Sequence, residues 1–202
     1  MKTSAGILLY RWRRGAGGEA HLEVLLAHPG GPLWAHRDAG AWSIPKGEAA
    51  PGEDPAAVAR REFAEETGHA LLGADLSDLG EVHLRSGKVV RAWACAGDLD
   101  PATSVSNTFS MEWPPHSGQM REFPEVDRVT WFDPDEARRR LNPGQVPLLD
   151  RLLAIVGGAG EPDAGRPEPA RAENRGQPAD GAAAAGAPAA PRAGRRPARR
   201  AT

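Results

Sequence analysis

Glu62, Glu65 and Glu66 are the residues of this sequence whose spacing says most about chemistry. They stand at i, i+3 and i+4, so on a helix three carboxylates share one face and reach a common point. Like charges so placed cost an isolated helix about 0.2–0.5 kcal/mol per pair, and only Arg61 is spaced to relieve Glu65. A solvated acidic face is the plain alternative. A divalent cation would instead turn the repulsion into coordination. Neither Cys nor His accompanies the cluster at ligand spacing, so the all-oxygen set suits Mg2+ or Mn2+ rather than zinc. A metal bound in this way usually works on phosphate.

The flanking residues supply a helix to hold that face. Asp54 is a good N-cap, Pro55 suits the first helical position, helix-compatible residues run from 56 to 66, and Gly68 is placed for a left-handed cap. Read as a whole, Gly47, five residues, Glu53, seven residues, and Arg61-Glu62-Phe63-Ala64-Glu65-Glu66-Thr67-Gly68 resemble the Nudix box, the signature of Mg2+-dependent hydrolases of nucleoside diphosphates linked to another group. The one departure is His69, where the family usually has an aliphatic residue packed beneath the loop.

The resemblance implies roles for individual residues. Glu62, Glu65 and Glu66 would be carboxylate ligands of the metal, joined by the backbone carbonyl of Lys46. Gly47, Glu53, Arg61 and Gly68 would shape and brace the cluster. The general base would be Glu62 or a glutamate on a later loop, Glu112, Glu122 or Glu125. Of these, Glu125, six residues before Trp131, best resembles the glutamate that precedes the last core strand in dinucleoside tetraphosphate hydrolases. Trp42-Ser43-Ile44-Pro45-Lys46-Gly47 is similar to the Trp-x-x-Pro-Lys-Gly stretch of the diadenosine polyphosphate hydrolases, where other branches tend to carry Pro-Gly-Gly. The expected reaction is asymmetric cleavage of diadenosine tetraphosphate to ATP and AMP. Two alternatives stand beside it: hydrolysis of a modified nucleoside triphosphate, and a nucleotide-sensing regulator without catalysis, although such regulators often lose box glutamates that this chain keeps. Arg37 or His36 would meet a substrate phosphate and Trp34 a base. Lys88 and Arg91 are further candidates for phosphate, and Trp113 for base stacking; solvated or rim positions are the alternatives for each.

Periodicity fills in the remaining elements. Residues 4–12 and 21–28 read as a hairpin, 42–44 as a short strand, 79–85 and 88–96 as a second hairpin about Ser86-Gly87, 107–115 as an edge strand, 116–124 as a mobile loop and 125–132 as a strand. Helices are expected over 135–141, capped by Asp133-Pro134, and over 147–156, with leucines at 148, 149, 152 and 153 on one stripe. Strands covered by helices in this order favour a mixed sheet between helical layers. That agrees with the αβα sandwich, with a mixed central β-sheet, that the Nudix resemblance implies.

The 202 residues divide by composition. Residues 1–156 are predicted to be the Nudix hydrolase domain. After Val156 the chain contains no Val, Ile, Leu, Met or aromatic residue, too little apolar surface to offset ordering entropy, so 157–202 is predicted to be a disordered Ala/Pro/Gly/Arg-rich tail. The domain is net −5 and the tail +3, with five Arg in the last twelve residues. Such a tail is compatible with weak contact to nucleic acid, but its Ala-Gly-Pro-Arg composition fits coding bias better, and nucleic acid is not the expected partner. The expected partner is a small nucleotide-type substrate. Cys95 lacks a second cysteine to pair with and sits in an apolar run, and the four apolar residues 7–10 are too few for a signal or membrane segment. A cytoplasmic protein without membrane association is expected.

Overall fold

The computed structural model describes residues 3–158 and 173–174. In chain order its elements are β1 (Thr3–Arg14), β2 (Ala20–Pro29), β3 (Lys46–Glu48), α1 (Pro55–Thr67), β4 (His69–Ala70), β5 (Ser77–His83), β6 (Val89–Ala96), β7 (Thr108–Glu112), β8 (Met120–Pro124), β9 (Val126–Phe132), α2 (Pro134–Arg140), α3 (Val146–Gly158) and β10 (Glu173–Asn174). The central sheet runs β5-β6-β1-β2-β9, with β3 added to β1. β1 and β6 are parallel and the other pairs antiparallel, so the sheet is mixed.

Strand alternation sorts the core into two layers. Ile7 and Leu9 of β1 point with Leu25 and Ala27 of β2 towards Val58, Ala59 and Phe63 of α1. Leu8, between them, points with Val24 and Leu26 to the opposite face, against Leu141, Leu148, Leu149 and Leu152. The period of two in the strands and the leucine stripe of α3 therefore meet as expected, giving an αβα sandwich. Among the described residues, no helix is long and apolar enough to cross a membrane. Cys95 is 1 % exposed, and burial pushes its thiol up to about 11.

Three local expectations are corrected. Residues 42–44 form no strand: Ser43 and Trp42 make isolated bridges to Ala27 and Leu141, and the strand that leads into the box is β3, because the N–H groups of Trp42 and Ile44 are taken by the Arg140 carbonyl and the Gln145 side chain. The stretch expected as a mobile loop, 116–124, contains β8, which pairs with β7 in a separate two-stranded sheet. Met111, Phe109 and Phe123 supply the β-forming pattern that the intervening prolines masked. The last helix also runs to Gly158, two residues into the stretch assigned to the tail. Glu173–Asn174 pairs with β4, and the rest of the tail lies outside the described residues.

Box helix α1 is built as its caps dictate. The Asp54 carboxylate accepts from the N–H groups of Ala56 and Ala57 at 3.3 Å, a cap worth about 1 kcal/mol. Gly68 closes the helix at φ 77° with its N–H donating to the Ala64 carbonyl. A Cβ there would lie 3.0 Å from the Val105 carbonyl oxygen and 3.1 Å from its nitrogen. Gly68→Ala should therefore lower stability by about 1–2 kcal/mol, read as a lower urea midpoint; an unshifted midpoint would contradict the cap.

Candidate active site

Two glycines let the strand before α1 approach closely enough to meet its carboxylates. A Cβ on Gly6 of β1 would lie 2.6 Å from both the Lys46 Cβ and the Pro45 carbonyl oxygen. Without one, Ile7 N–H donates to the Pro45 carbonyl at 3.0 Å and β3 lies flat on β1. Lys46 N–H then donates to Glu66 Oε2 at 3.0 Å. A Cβ on Gly47 would overlap the Glu62 carboxylate, 1.7 Å from Oε2. The strand and the helical face are thus in direct contact at Glu62 and Glu66.

Crowding of negative charge marks the centre. Burial pushes Glu66 up to about 7; the Lys46 charge and N–H pull against it, and Glu62 and Glu125 add to it. Glu62 is raised by burial, opposed by Arg61 and reinforced by Glu65 and Glu125. Arg61 stands 2.9 Å from Glu62 and 3.3 Å from Glu65, so one guanidinium serves two of the three box carboxylates. Glu53 is exposed and accepts from Ala50 N–H at 2.7 Å. It ties down the loop before α1 and acts on Arg61 through its charge.

Of the three later glutamates, Glu125 is the one whose charge reaches Glu62 and Glu66. Glu112 instead accepts from Gly118 N–H at 2.6 Å and closes the β7–β8 turn, and Glu122 is exposed on β8. A chain of main-chain hydrogen bonds brings Glu125 to α1: Asn107 N–H donates to the Glu65 carbonyl at 3.2 Å, Glu125 N–H to the Asn107 carbonyl at 2.8 Å, and Gly30 N–H to the Glu125 carbonyl at 2.9 Å. These bonds fasten both roots of the β7–β8 hairpin and the start of loop 30–41 to the box helix. Sequence reading missed this linkage, since backbone groups carry no residue signature.

The residues expected to meet substrate are less gathered. Lys88 Nζ donates to Glu48 at 3.0 Å, beside the box strand. Arg91 is held by Asp78 at 2.9 Å and Glu81 at 3.7 Å, so a phosphate would have to compete for either cation. Arg37 is exposed, with its guanidinium 5.5 Å over the Trp34 ring. His36 is exposed on the same loop. Trp113 is half-buried just beyond β7, and its main-chain N–H donates to the Gln119 carbonyl at 2.8 Å. A cleft lined by Glu66, Ser104, Ser106, Asp127 and Arg128 opens between α1 and β9. His69 is buried and bridges Thr67 and Thr103, packing where the aliphatic residue was expected by satisfying both ring nitrogens.

The donor chemistry fits a hard divalent cation: every candidate ligand is oxygen, and the cluster carries surplus negative charge with raised proton affinity at Glu62 and Glu66. Among the described residues, the side chains as placed do not gather three such ligands around one point. Arg61 lies against Glu62 and Glu65.

The Nudix domain model matches residues 4–152. A crystal structure of a C. elegans Ap4A hydrolase binary complex shares the fold with a TM-score of 0.52 at 21 % identity, over 78 % of this chain and 99 % of that one. A mutT/nudix family protein from Listeria innocua does so with a TM-score of 0.51 at 17 % identity, over 78 % and 95 %. No curated protein sequence matches the chain. The sandwich, its acidic helix and the family match define a hydrolase acting on phosphorus-containing acid anhydrides. The chain belongs to the Nudix family, whose members generally use divalent metal ions.

Proposed function

We propose that this hydrolase cleaves bis(5'-nucleosyl) tetraphosphates asymmetrically, releasing ATP and AMP from diadenosine tetraphosphate. The observation that carries the reading is the Trp42-Ser43-Ile44-Pro45-Lys46-Gly47 stretch, in which a lysine precedes the box and the Lys46 charge acts directly on Glu66. The C. elegans relative supports the fold and leaves the substrate to these residues. Glu62, Glu65, Glu66 and the Lys46 carbonyl would hold Mg2+, with Mn2+ as the substitute. The bound ion would neutralise developing charge on the phosphates and lower the pKa of a water. The chain's own part is positional. Gly47 lets Glu62 close on β3, Arg61 and Glu53 brace the face, and Glu125 accepts the proton of the attacking water as the phosphoanhydride P–O bond breaks, with Glu62 the second candidate for that task. Arg37, Lys88, Arg91 and Trp113 are assigned to the substrate's phosphates and bases. A lone buried cysteine suits a reducing compartment, and the reading places the enzyme in the cytoplasm.

A substrate panel assayed with Mg2+ and resolved by chromatography tests this. Equal amounts of ATP and AMP should appear from diadenosine tetraphosphate. Turnover of a nucleoside triphosphate with the dinucleotide untouched would overturn the substrate, and no turnover of any phosphoanhydride would favour a nucleotide-sensing role.

A further inference from the structure

His28 of β2 is 0 % exposed, and the chemistry above makes no use of it. Its Nδ1 lies 2.7 Å from Asp127 Oδ1 and its Nε2 2.7 Å from the Arg37 carbonyl oxygen. The ring packs edge-on against Trp42 at 5.0 Å. One buried ring thus bridges an oxygen on β9 and an oxygen on the loop.

The charged groups around the ring come from three elements. β9 contributes Asp127 and Arg128, whose Nε lies 3.5 Å from Asp127 Oδ1 and whose guanidinium stands 5.4 Å over Trp42. The loop contributes Asp38, which accepts from Trp42 Nε1 at 2.7 Å. Helix α2 contributes Arg140, paired with Asp38.

What His28 joins is as informative as how. On one side is loop 30–41, carrying Trp34 and Arg37 and beginning at Gly30, bonded to the Glu125 carbonyl. On the other is Asp127, two residues beyond Glu125 and lining the cleft beside Glu66. We propose that His28 is a positioning residue that clamps loop 30–41 to β9, so that Trp34 and Arg37 stand ready for a phosphate-linked nucleoside. The effect on affinity rests on the assignment of that loop to substrate; the clamp itself does not.

The experiment separates the two. In the full chain, amide hydrogen exchange over residues 30–41 should quicken about tenfold in His28→Phe while the amides of α1 keep their protection. Unchanged exchange in the loop would overturn the clamp whatever the substrate. With a phosphoanhydride that the protein hydrolyses, His28→Phe should raise KM about tenfold while kcat changes little. Unchanged KM in His28→Phe, or a loss confined to kcat, would overturn the link to substrate. If His28→Phe does not fold, the same two readings on Asp127→Ala, which frees one end of the ring, decide.

Discussion

Gly47→Ala should lose about a hundredfold in kcat/KM while its thermal midpoint stays within about 2 °C of the wild type. The two effects separate because of what the new methyl meets. It would lie 1.7 Å from Glu62 Oε2 and 1.9 Å from Cδ, the far end of a flexible side chain rather than backbone. The pairing of Gly47 with Ala5 engages only main-chain groups and survives, and Gly47 is not among the positions of positive φ, so alanine is not strained there. The carboxylate therefore moves, the fold does not, and the ligand that Glu62 is proposed to be would no longer meet its metal. Assaying turnover and thermal unfolding on the same preparation checks this. Unaltered turnover would remove Glu62 from the chemistry, and a collapse of stability to match the lost activity would show that Gly47 serves the fold instead.

Glu66→Gln should lower turnover by about a thousandfold and, with chelator present, stabilise the protein at neutral and alkaline pH. The sign follows from burial. Glu66 is pushed from 4.5 up to about 7 in the folded chain, so between those values the native state keeps a proton that the unfolded state has released. Stability contributed by the protonated carboxyl is fully present below pH 4.5 and is lost as pH rises through about 7. The loss amounts to something on the order of 3 kcal/mol. Glutamine keeps an acceptor for Lys46 N–H and carries no charge, so its unfolding free energy should lack this decline. Urea unfolding from about pH 4 to 9 measures it; parallel curves for the two proteins would show that the carboxylate is not confined as its contacts suggest.

The helix that carries the candidate site was legible in the sequence because its signals are local. Asp54, Pro55 and Gly68 mark the ends of one helix, and Glu62, Glu65 and Glu66 need only helical spacing to share a face. The two core layers were legible for the same reason, as alternation along β1 and β2 and the leucines of α3. The rest depends on contacts remote in sequence. Nothing in Pro114, Pro115 and the polar turn that follows announces that Phe109 and Phe123 will face each other at 6.1 Å and make a hairpin of a supposed loop. Lys88 and Arg91 read as free cations until Glu48, Asp78 and Glu81 are placed beside them. His28 lies in an ordinary strand pattern and gains meaning only from Asp127, 99 residues later.

The main-chain links from Glu65 through Asn107 and Glu125 to Gly30 have a consequence for how such a protein can diverge. Any residue except proline preserves the donor at position 107, so that joint is indifferent to side-chain drift. Position 30 is different: a Cβ there would come within 2.0 Å of the Pro124 carbonyl oxygen, and glycine alone fits. Between the two roots, the hairpin tip from Trp113 to Gln119 is free to change length and composition without disturbing the acidic helix. Descendants of this chain can therefore exchange the tip as a cassette and try new ligands at little risk to the hydrolytic centre. A saturation scan should show this as broad tolerance from 114 to 118 and at 107, with a single permitted residue at 30.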